Sequence, residues 1–416
     1  MNKHNSVPNI RFKGFEDEWE DTGIGKLVKV YDGVHQTPTY KNNGVPFVSV
    51  ENISNLYTNK FISKSDFENN FKNSKPTSGD LLMTRIGDIG TVNLVKNDND
   101  LAYYVSLALL KPKIKDNKKY INSYFLMYLI ESPRTKKELW KRTLHIAFPK
   151  KINKNEISKV NLCICLNWKE QQKIGDFFSR LDKLLDLQQQ KIDKLELLKK
   201  ALLQKLFPKH DAKLPELRFK GCNGEWKSMK IGSLFDHKSG TSIEKYFNSD
   251  GKYKVISIGS YGKNSKYIDQ GIRVNLNSVT KSHLVDKNDL TMVLNDKTPD
   301  GQIIGRVLLI NKSNEFVINQ RTERLIPRNI NSKFAFTYLN GPIRKSIKKM
   351  VQGGTQIYIN YSSIEKIDVL VPKTIEEEQK IGNLLSKVDQ LIELENQKLQ
   401  NFQQVKKCLL QNMFVD

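Results

Sequence analysis

No two prolines are adjacent anywhere in the 416 residues, so the Asn/Asp-Pro-Pro-aromatic motif of an adenine-directed DNA methyltransferase is absent. Nor is there a Gly-x4-Gly-Lys-Ser/Thr loop to cradle nucleotide phosphates. A nuclease site built from Pro299-Asp300 and Glu378-x-Lys380 would place its second part at the start of a long helix far along the chain. No catalytic residue is therefore expected. The six histidines (His4, His35, His145, His210, His237 and His283) show no i, i+4 pair or other metal spacing. Four cysteines, Cys163, Cys165, Cys222 and Cys408, give neither a disulfide framework nor zinc spacing. Cys163 and Cys165 alternate with Val160, Leu162, Ile164 and Leu166 as one face of a strand does, and buried free thiols are expected. No metal and no cofactor are expected in this chain. There is no run of about 18 apolar residues, and the polar opening MNKHNSVPN lacks the apolar core of a signal peptide. The expected location is cytoplasmic, with no membrane.

Positive charge is what the chain has in excess. Its 68 lysines and arginines face 45 acidic residues, a net charge of +23 and a pI near 9.6. That balance favours a polyanionic partner, nucleic acid ahead of a membrane surface. The bland alternative is scattered, solvated lysines. A 38% hydrophobic content with 19 Phe, 15 Tyr and 4 Trp is enough for ordinary packed cores.

The chain is also a duplication. Residues 172–207 recur at 379–414 without a gap, 16 of 36 positions being identical. Apolar residues in both copies step by three and four: Ile174, Phe178, Leu181, Leu185, Ile192, Leu195, Leu202 and Leu206, then Ile381, Leu385, Val388, Ile392, Leu399, Phe402, Leu409 and Met413. Such a heptad seam predicts two long helices, each roughly 50 Å at about 1.5 Å per residue. Asn167 with Glu170, and Thr374 with Glu377, fit capping boxes at their starts. Gln188 with Lys199, and Glu395 with Lys406, interrupt the seam at equivalent places. Gln188 and Glu395 are expected to fix register.

Each half opens alike, PNIRFKGFEDEWE at Pro8 and PELRFKGCNGEWK at Pro215. Between this opening and the helix lies a body of about 150 residues with short strand-like runs and Gly/Asn/Asp turns, which reads as α+β. The predicted domains are 1–168, 169–207 (helix), 208–214 (linker), 215–375 and 376–416 (helix). The fold class is α+β: two bodies related by a pseudo-two-fold axis and separated by two long antiparallel coiled-coil helices. The bodies diverge while the frame repeats, which suits recognition of two different things. Half-sites about one turn of duplex apart lie roughly 34–36 Å from each other.

Candidate DNA contacts fall in polar turns. In the first body these are Thr84, Arg85 and Gly87 after an apolar strand, and Lys150 and Lys151 after Phe148-Pro149. Arg85 is either a guanine or phosphate contact or a surface Arg at a strand end. In the second body Leu294 stands in place of Arg85, with Asn295, Lys297 and Thr298 as substitutes, and Gly353, Gly354, Thr355 and Gln356 form the other loop. Glycines there allow close approach, and a Gln can pair with adenine. Lys136, Lys137, Lys141, Arg142, Lys345, Lys348 and Lys349 follow helical spacing, as a phosphate-facing surface or simply a solvated one.

Taken together, RFKGF..EW at each body's start, GD-L-M-TR-IG in the first body and QKIG....LD..L..L at each helix start resemble the specificity subunit of a Type I restriction–modification system over the whole chain. The resemblance implies two target-recognition domains, each reading half of an asymmetric, interrupted site in double-stranded DNA. It also implies helices that set the spacing and dock two methyltransferase subunits, with restriction-translocase subunits joining that core. S-adenosylmethionine and ATP with Mg would then belong to those other subunits. Outward apolar residues off the seam are the docking candidates: Leu184, Leu187, Leu198 and Leu203 in the first helix, Leu391, Leu394, Val405 and Leu410 in the second. The alternatives are a stand-alone two-headed DNA-binding protein, or an enzyme with an unrecognised site.

Overall fold

The protein is described by a computed structural model covering residues 6–115, 118–209, 212–297, 300–354 and 356–415. It divides into two compact units, Met1–Gln189 with Gln397–Asp416, and Gln190–Asn396. Each unit thus takes in part of both long helices.

The first unit contains β1 (Val28–Asp32), β2 (Leu81–Ile86), β3 (Asp88–Leu94), β4 (Leu107–Pro112), α1 (Ser123–Glu131) and α2 (Pro133–Lys141), followed by the start of α3 (Trp168–Lys205). Its main sheet is antiparallel in the order β1-β4-β2-β3. β2 and β4 are apolar on both faces and buried on both: Leu81, Met83 and Leu110 join one core while Leu82, Leu107 and Leu109 join another. A small three-stranded sheet around Val45–Val48 completes the second of these.

The second unit contains β5 (Phe235–Ser239), β6 (Leu290–Val293), β7 (Asn295–Asp296), β8 (Val307–Leu309), β9 (Thr322–Pro327), α4 (Ser332–Asn340), β10 (Ile357–Tyr358) and the start of α5 (Ile375–Asn412). Its main sheet runs β5-β9-β6-β8, the same order as in the first unit, and a three-stranded sheet with one parallel pair recurs as well. The bodies have diverged in sequence but keep one topology.

Both long helices are 38 residues, and in each unit they pack antiparallel. In the first unit Asp182 pairs with Lys406 at 2.7 Å, and Phe178 stacks on Phe414 with centroids 5.8 Å apart. In the second, Lys191 pairs with Glu395 at 2.8 Å and Lys199 with Asp389 at 2.5 Å. Every predicted seam residue is buried or half-buried except Phe402, 37% exposed. The seam residue Glu395 is buried where Lys191 reaches it.

The helix ends explain why the compact units cut across the repeat. Phe414, at the end of α5, lies among Trp19, Phe125 and Phe178, while Phe207, at the end of α3, lies among Trp226, Phe334 and Tyr338. Each core is closed by an aromatic ring from the other repeat. The chain returns to the same place each time: Ile10 N–H donates to Asn412 O, and Leu217 N–H to Lys205 O, both at 2.8 Å.

Two local expectations are corrected. Asn167 and Thr374 do cap their helices, but Glu170 and Glu377 do not reach back to close a capping box. Their carboxylates are held by Arg11 and Arg218 instead. The strand around Cys163 is not one-faced. Leu162, Cys163, Ile164 and Cys165 are all buried, and only Leu166 is exposed. Burial pushes the Cys163 thiol up to about 11, so it stays protonated and inert.

Candidate nucleic-acid interface

The structure brings together the two candidate turns of the first body. β2 runs into β3 through Gly87, whose φ of +79° a residue with a side chain rarely adopts. The Gly87 N–H donates to Lys150 O at 2.8 Å, and Ile86 pairs with Lys151. Lys151 in turn closes a hairpin with Leu144, whose N–H donates to Lys151 O at 2.8 Å. The β2–β3 turn and the 144–151 loop therefore form one tip. Gly87, Lys150 and Lys151 are exposed on it.

Arg85 is not free to read a base or a phosphate. It is 6% exposed, ion-paired with Asp32, and its Nε donates to Ile152 O at 3.1 Å. The Ile152 N–H returns a bond to Arg85 O at 3.0 Å. Arg85 thus ties the loop's base to the sheet, because a guanidinium this buried needs a carboxylate and carbonyls around it. Thr84 is likewise buried, its hydroxyl accepting from Thr91 N–H at 2.9 Å. Neither residue can touch DNA without unpacking the strand.

Among the helical lysines, Lys136 is half-buried and donates to Gly90 O, and burial lowers its pKa. Lys141 and Arg142 flank Glu138, at 2.7 and 3.8 Å. Lys137 is exposed, as are Lys345, Lys348 and Lys349 in the second body.

The second body builds the same tip from different residues. β7 pairs with β10, matching Asn295 to Tyr358, and Gln352 and Tyr358 exchange both backbone hydrogen bonds at 2.9 Å. Ile359 N–H donates to Leu294 O at 2.9 Å, as Ile152 does to Arg85, but the Leu294 side chain joins the core where Arg85 met Asp32. Asn295 is buried, contrary to its expected role as a contact. The neighbouring Asp296 is also buried, and its carboxylate accepts from Ile303 N–H at 2.7 Å and Ile304 N–H at 3.1 Å. Lys297, Gly353, Gly354 and Gln356 are exposed. Gly353 has φ +97°, and a Cβ there would come within 2.4 Å of Gln356 O. Thr298 and Thr355 lie outside the described residues.

Sequence reading passed over the apex of the first loop. Ile146 and Phe148 are 98% and 104% exposed. The signal was available: two large apolar residues flanking Ala147, between basic clusters, in a stretch with no strand or helix period.

On the helices, Leu184, Leu187 and Val405 are exposed in the first unit, and Leu198, Leu391 and Leu394 in the second. The other two docking candidates are not exposed as expected. Leu410 packs against the first core and Leu203 against the second. Among the described residues, no group of three His, Cys, Asp or Glu side chains could hold a metal, and no helix is long and apolar enough to cross a membrane.

Comparison with known proteins bears on the whole chain. The family model described as Type I restriction modification DNA specificity domain matches twice, at residues 16–197 and 223–404. A putative type I restriction enzyme MjaX specificity subunit from Methanocaldococcus jannaschii is 23% identical over 432 residues, covering 94% of this chain and 92% of that one. The MjaVIII specificity subunit of the same organism is 24% identical over 250 residues, 58% of each chain. Among solved structures, the S subunit of a Type I restriction–modification system from M. genitalium aligns over 99% of both chains with a TM-score of 0.65 and 16% identity. A chain from a study of complex assembly and conformational transition of the type I R-M system aligns at a TM-score of 0.54 with 14% identity, covering 94% of this chain and 96% of that one.

Proposed function

This chain belongs to the Type I restriction–modification DNA specificity family, and from that premise we propose that each of its bodies reads one half of an asymmetric, interrupted site in double-stranded DNA. One observation carries the reading. Two sheets of the same strand order present tips anchored by the same backbone bonds but made of different residues, Leu144–Lys151 in one body and Gln352–Tyr358 in the other. Same scaffold with different tips is what two unlike half-sites require. Phosphate contacts from Lys150, Lys151, Lys297 and the exposed helical lysines hold the protein on the duplex, while side chains of the tips face base edges. With about six to ten such contacts, affinity falls about 10³–10⁵-fold between about 50 and 200 mM salt.

The long helices set the spacing between the half-sites and dock two methyltransferase subunits. Leu184, Leu187 and Val405 form one face and their repeat counterparts Leu391, Leu394 and Leu198 the other, since exposed leucines in such rows favour a partner over water. The chain itself carries out no chemistry. S-adenosylmethionine is used by the methyltransferase subunits, and ATP with Mg by restriction-translocase subunits that join the core.

Co-purification with the methyltransferase subunit of the same system, followed by mapping of methylated adenines in DNA exposed to the complex and S-adenosylmethionine, tests this. The expected motif is split and asymmetric, with a gap of several unspecified bases. A continuous or palindromic motif contradicts the reading, and failure to bind any methyltransferase favours a stand-alone DNA-binding protein.

A further inference from the structure

The apex of the 144–151 loop is built unlike the rest of the surface. Its base is fixed by the Leu144, Gly87 and Ile152 backbone bonds and by the Arg85 side chain. Its flanks fold back on Trp140, with the His145 ring 4.4 Å away and the Lys150 ammonium 4.5 Å over the indole. His145 and Lys150 lie against Trp140, Leu144 is 39% exposed, and Ile146 and Phe148 stand fully in water. A floppy loop would collapse two such side chains onto the nearest apolar surface. Here the base of the loop is paired to the sheet and both side chains stand clear of the surface.

Charge says what meets the apex. Between residues 136 and 154 the sequence has seven lysines and arginines and one carboxylate, Glu138, while Arg142 also reaches Glu156 at 3.6 Å and Lys154 reaches Asp32 at 3.7 Å, so positive charge remains in excess. A partner must therefore be polyanionic outside and apolar within reach of a short protrusion. Duplex DNA is both: phosphates outside, stacked base faces within. Resting on the specificity-subunit reading above, we propose that Phe148, seconded by Ile146, inserts as an apolar wedge between stacked base pairs of the half-site read by the first body. Such wedges unstack one step and bend the duplex so that more basic surface engages. The step entered is one that opens easily, TA or CA/TG. The second body has no equivalent, because its loop carries Gly353, Gly354 and Gln356 at the corresponding place. Insertion is therefore confined to one half of the site.

The experiment uses the full chain in complex with its methyltransferase subunits, on duplexes carrying the site found by methylation mapping. 2-Aminopurine, an adenine analogue, is placed in turn at each adenine of both half-sites. The expected result is a fluorescence rise at one step of one half-site, separate from the adenine that is methylated. Phe148→Ala abolishes that rise and weakens site binding about 10- to 100-fold, in line with the loss of one base–aromatic stack, while binding to non-specific duplex at low salt is unchanged. Phe148→Met, which keeps an apolar wedge, restores most of the affinity. Because the side chain is wholly exposed, neither change burdens folding.

A rise confined to the methylated adenine, or one that survives Phe148→Ala, overturns the wedge. So does loss of methyltransferase co-purification in Phe148→Ala, which would make the apex a protein contact. If the wild-type complex shows no site preference at all, the specificity-subunit reading itself has failed.

Discussion

Arg11 grips Glu170 with two parallel bonds, Nε to Oε1 at 2.7 Å and Nη2 to Oε2 at 2.9 Å, and 207 residues later Arg218 grips Glu377 at 2.8 and 2.8 Å. The repeated RFKG opening thus has a physical reason. Its arginine ties the start of each body to the first turn of the helix that follows, and the carboxylate is buried in both copies. A bidentate pair of this kind fixes orientation as well as contributing energy.

Removing the arginine leaves a buried carboxylate unpaired, which costs about 3–5 kcal/mol. Arg11→Ala is expected to destabilise the first unit by about that much, measured by denaturant unfolding. Arg218→Ala should cost less, because Trp226 Nε1–H still donates to Glu377 at 3.3 Å while Trp19 Nε1 has no such partner. Equal losses would show that the tryptophan bond contributes nothing.

The glycine of QKIG lets each long helix come close to a body helix. A Cβ on Gly382 would sit 2.6 Å from Phe334 N, and one on Gly175 would sit 2.8 Å from Tyr124 Cβ. Gly382→Ala must push backbone aside, and overpacking of this kind costs about 1–3 kcal/mol. A lowered Tm of the second unit checks it, and a Tm equal to wild type would mean that the helix is free to shift.

Glu378 supplies a pH dependence. Burial, reinforced by the neighbouring Glu377 charge, raises its carboxyl to about 7, although the Asn331 N–H bond at 2.6 Å opposes this. The folded state therefore holds the proton more tightly than the unfolded chain. That contribution is fully present below the ordinary glutamate value of about 4.3 and is lost as pH rises through about 7. Glu378→Gln should flatten the profile and leave the protein more stable than wild type above pH 7, by on the order of 2 kcal/mol. The first repeat already has this solution, since Gln171 accepts from Asn122 N–H at 2.8 Å and donates to Cys165 O at 2.7 Å. Parallel pH profiles for the two proteins would contradict the assignment.

The docking face is tested by paired substitutions, Leu184→Glu with Leu187→Glu, and Leu391→Glu with Leu394→Glu. Each pair should remove one methyltransferase from the complex, read as its mass by native mass spectrometry, with the isolated chain still folded. Retention of both copies would place docking elsewhere. Leu203 and Leu410 are unsuitable for this purpose, because charge there would damage the cores.

The duplication, both long helices and their seam were legible in the sequence because each rests on local period and on comparison of the chain with itself. What stayed hidden depends on pairing across long sequence separations. Arg85 reads as a free turn residue until Asp32 and Ile152 are seen beside it. Glu170 reads as half of a capping box until Arg11 takes its carboxylate. Asn295 reads as a loop residue although β7 buries it against β10. Phe148 escaped as well. In the sequence it served only to place Lys150 and Lys151, and its exposure of 104% follows from a loop whose base is paired to the sheet.

The measurement that reaches the central claim most directly is methylation mapping with tip variants of the two bodies, Gly354→Ala with Gln356→Ala in one chain and Lys150→Ala with Lys151→Ala in another. If each body reads its own half-site, the first pair relaxes the motif in one half and leaves the other half intact, while the second pair, which removes only phosphate contacts, weakens methylation without relaxing either half. Relaxation of both halves by either pair, or an unchanged motif with both, would contradict the division of labour between the two bodies.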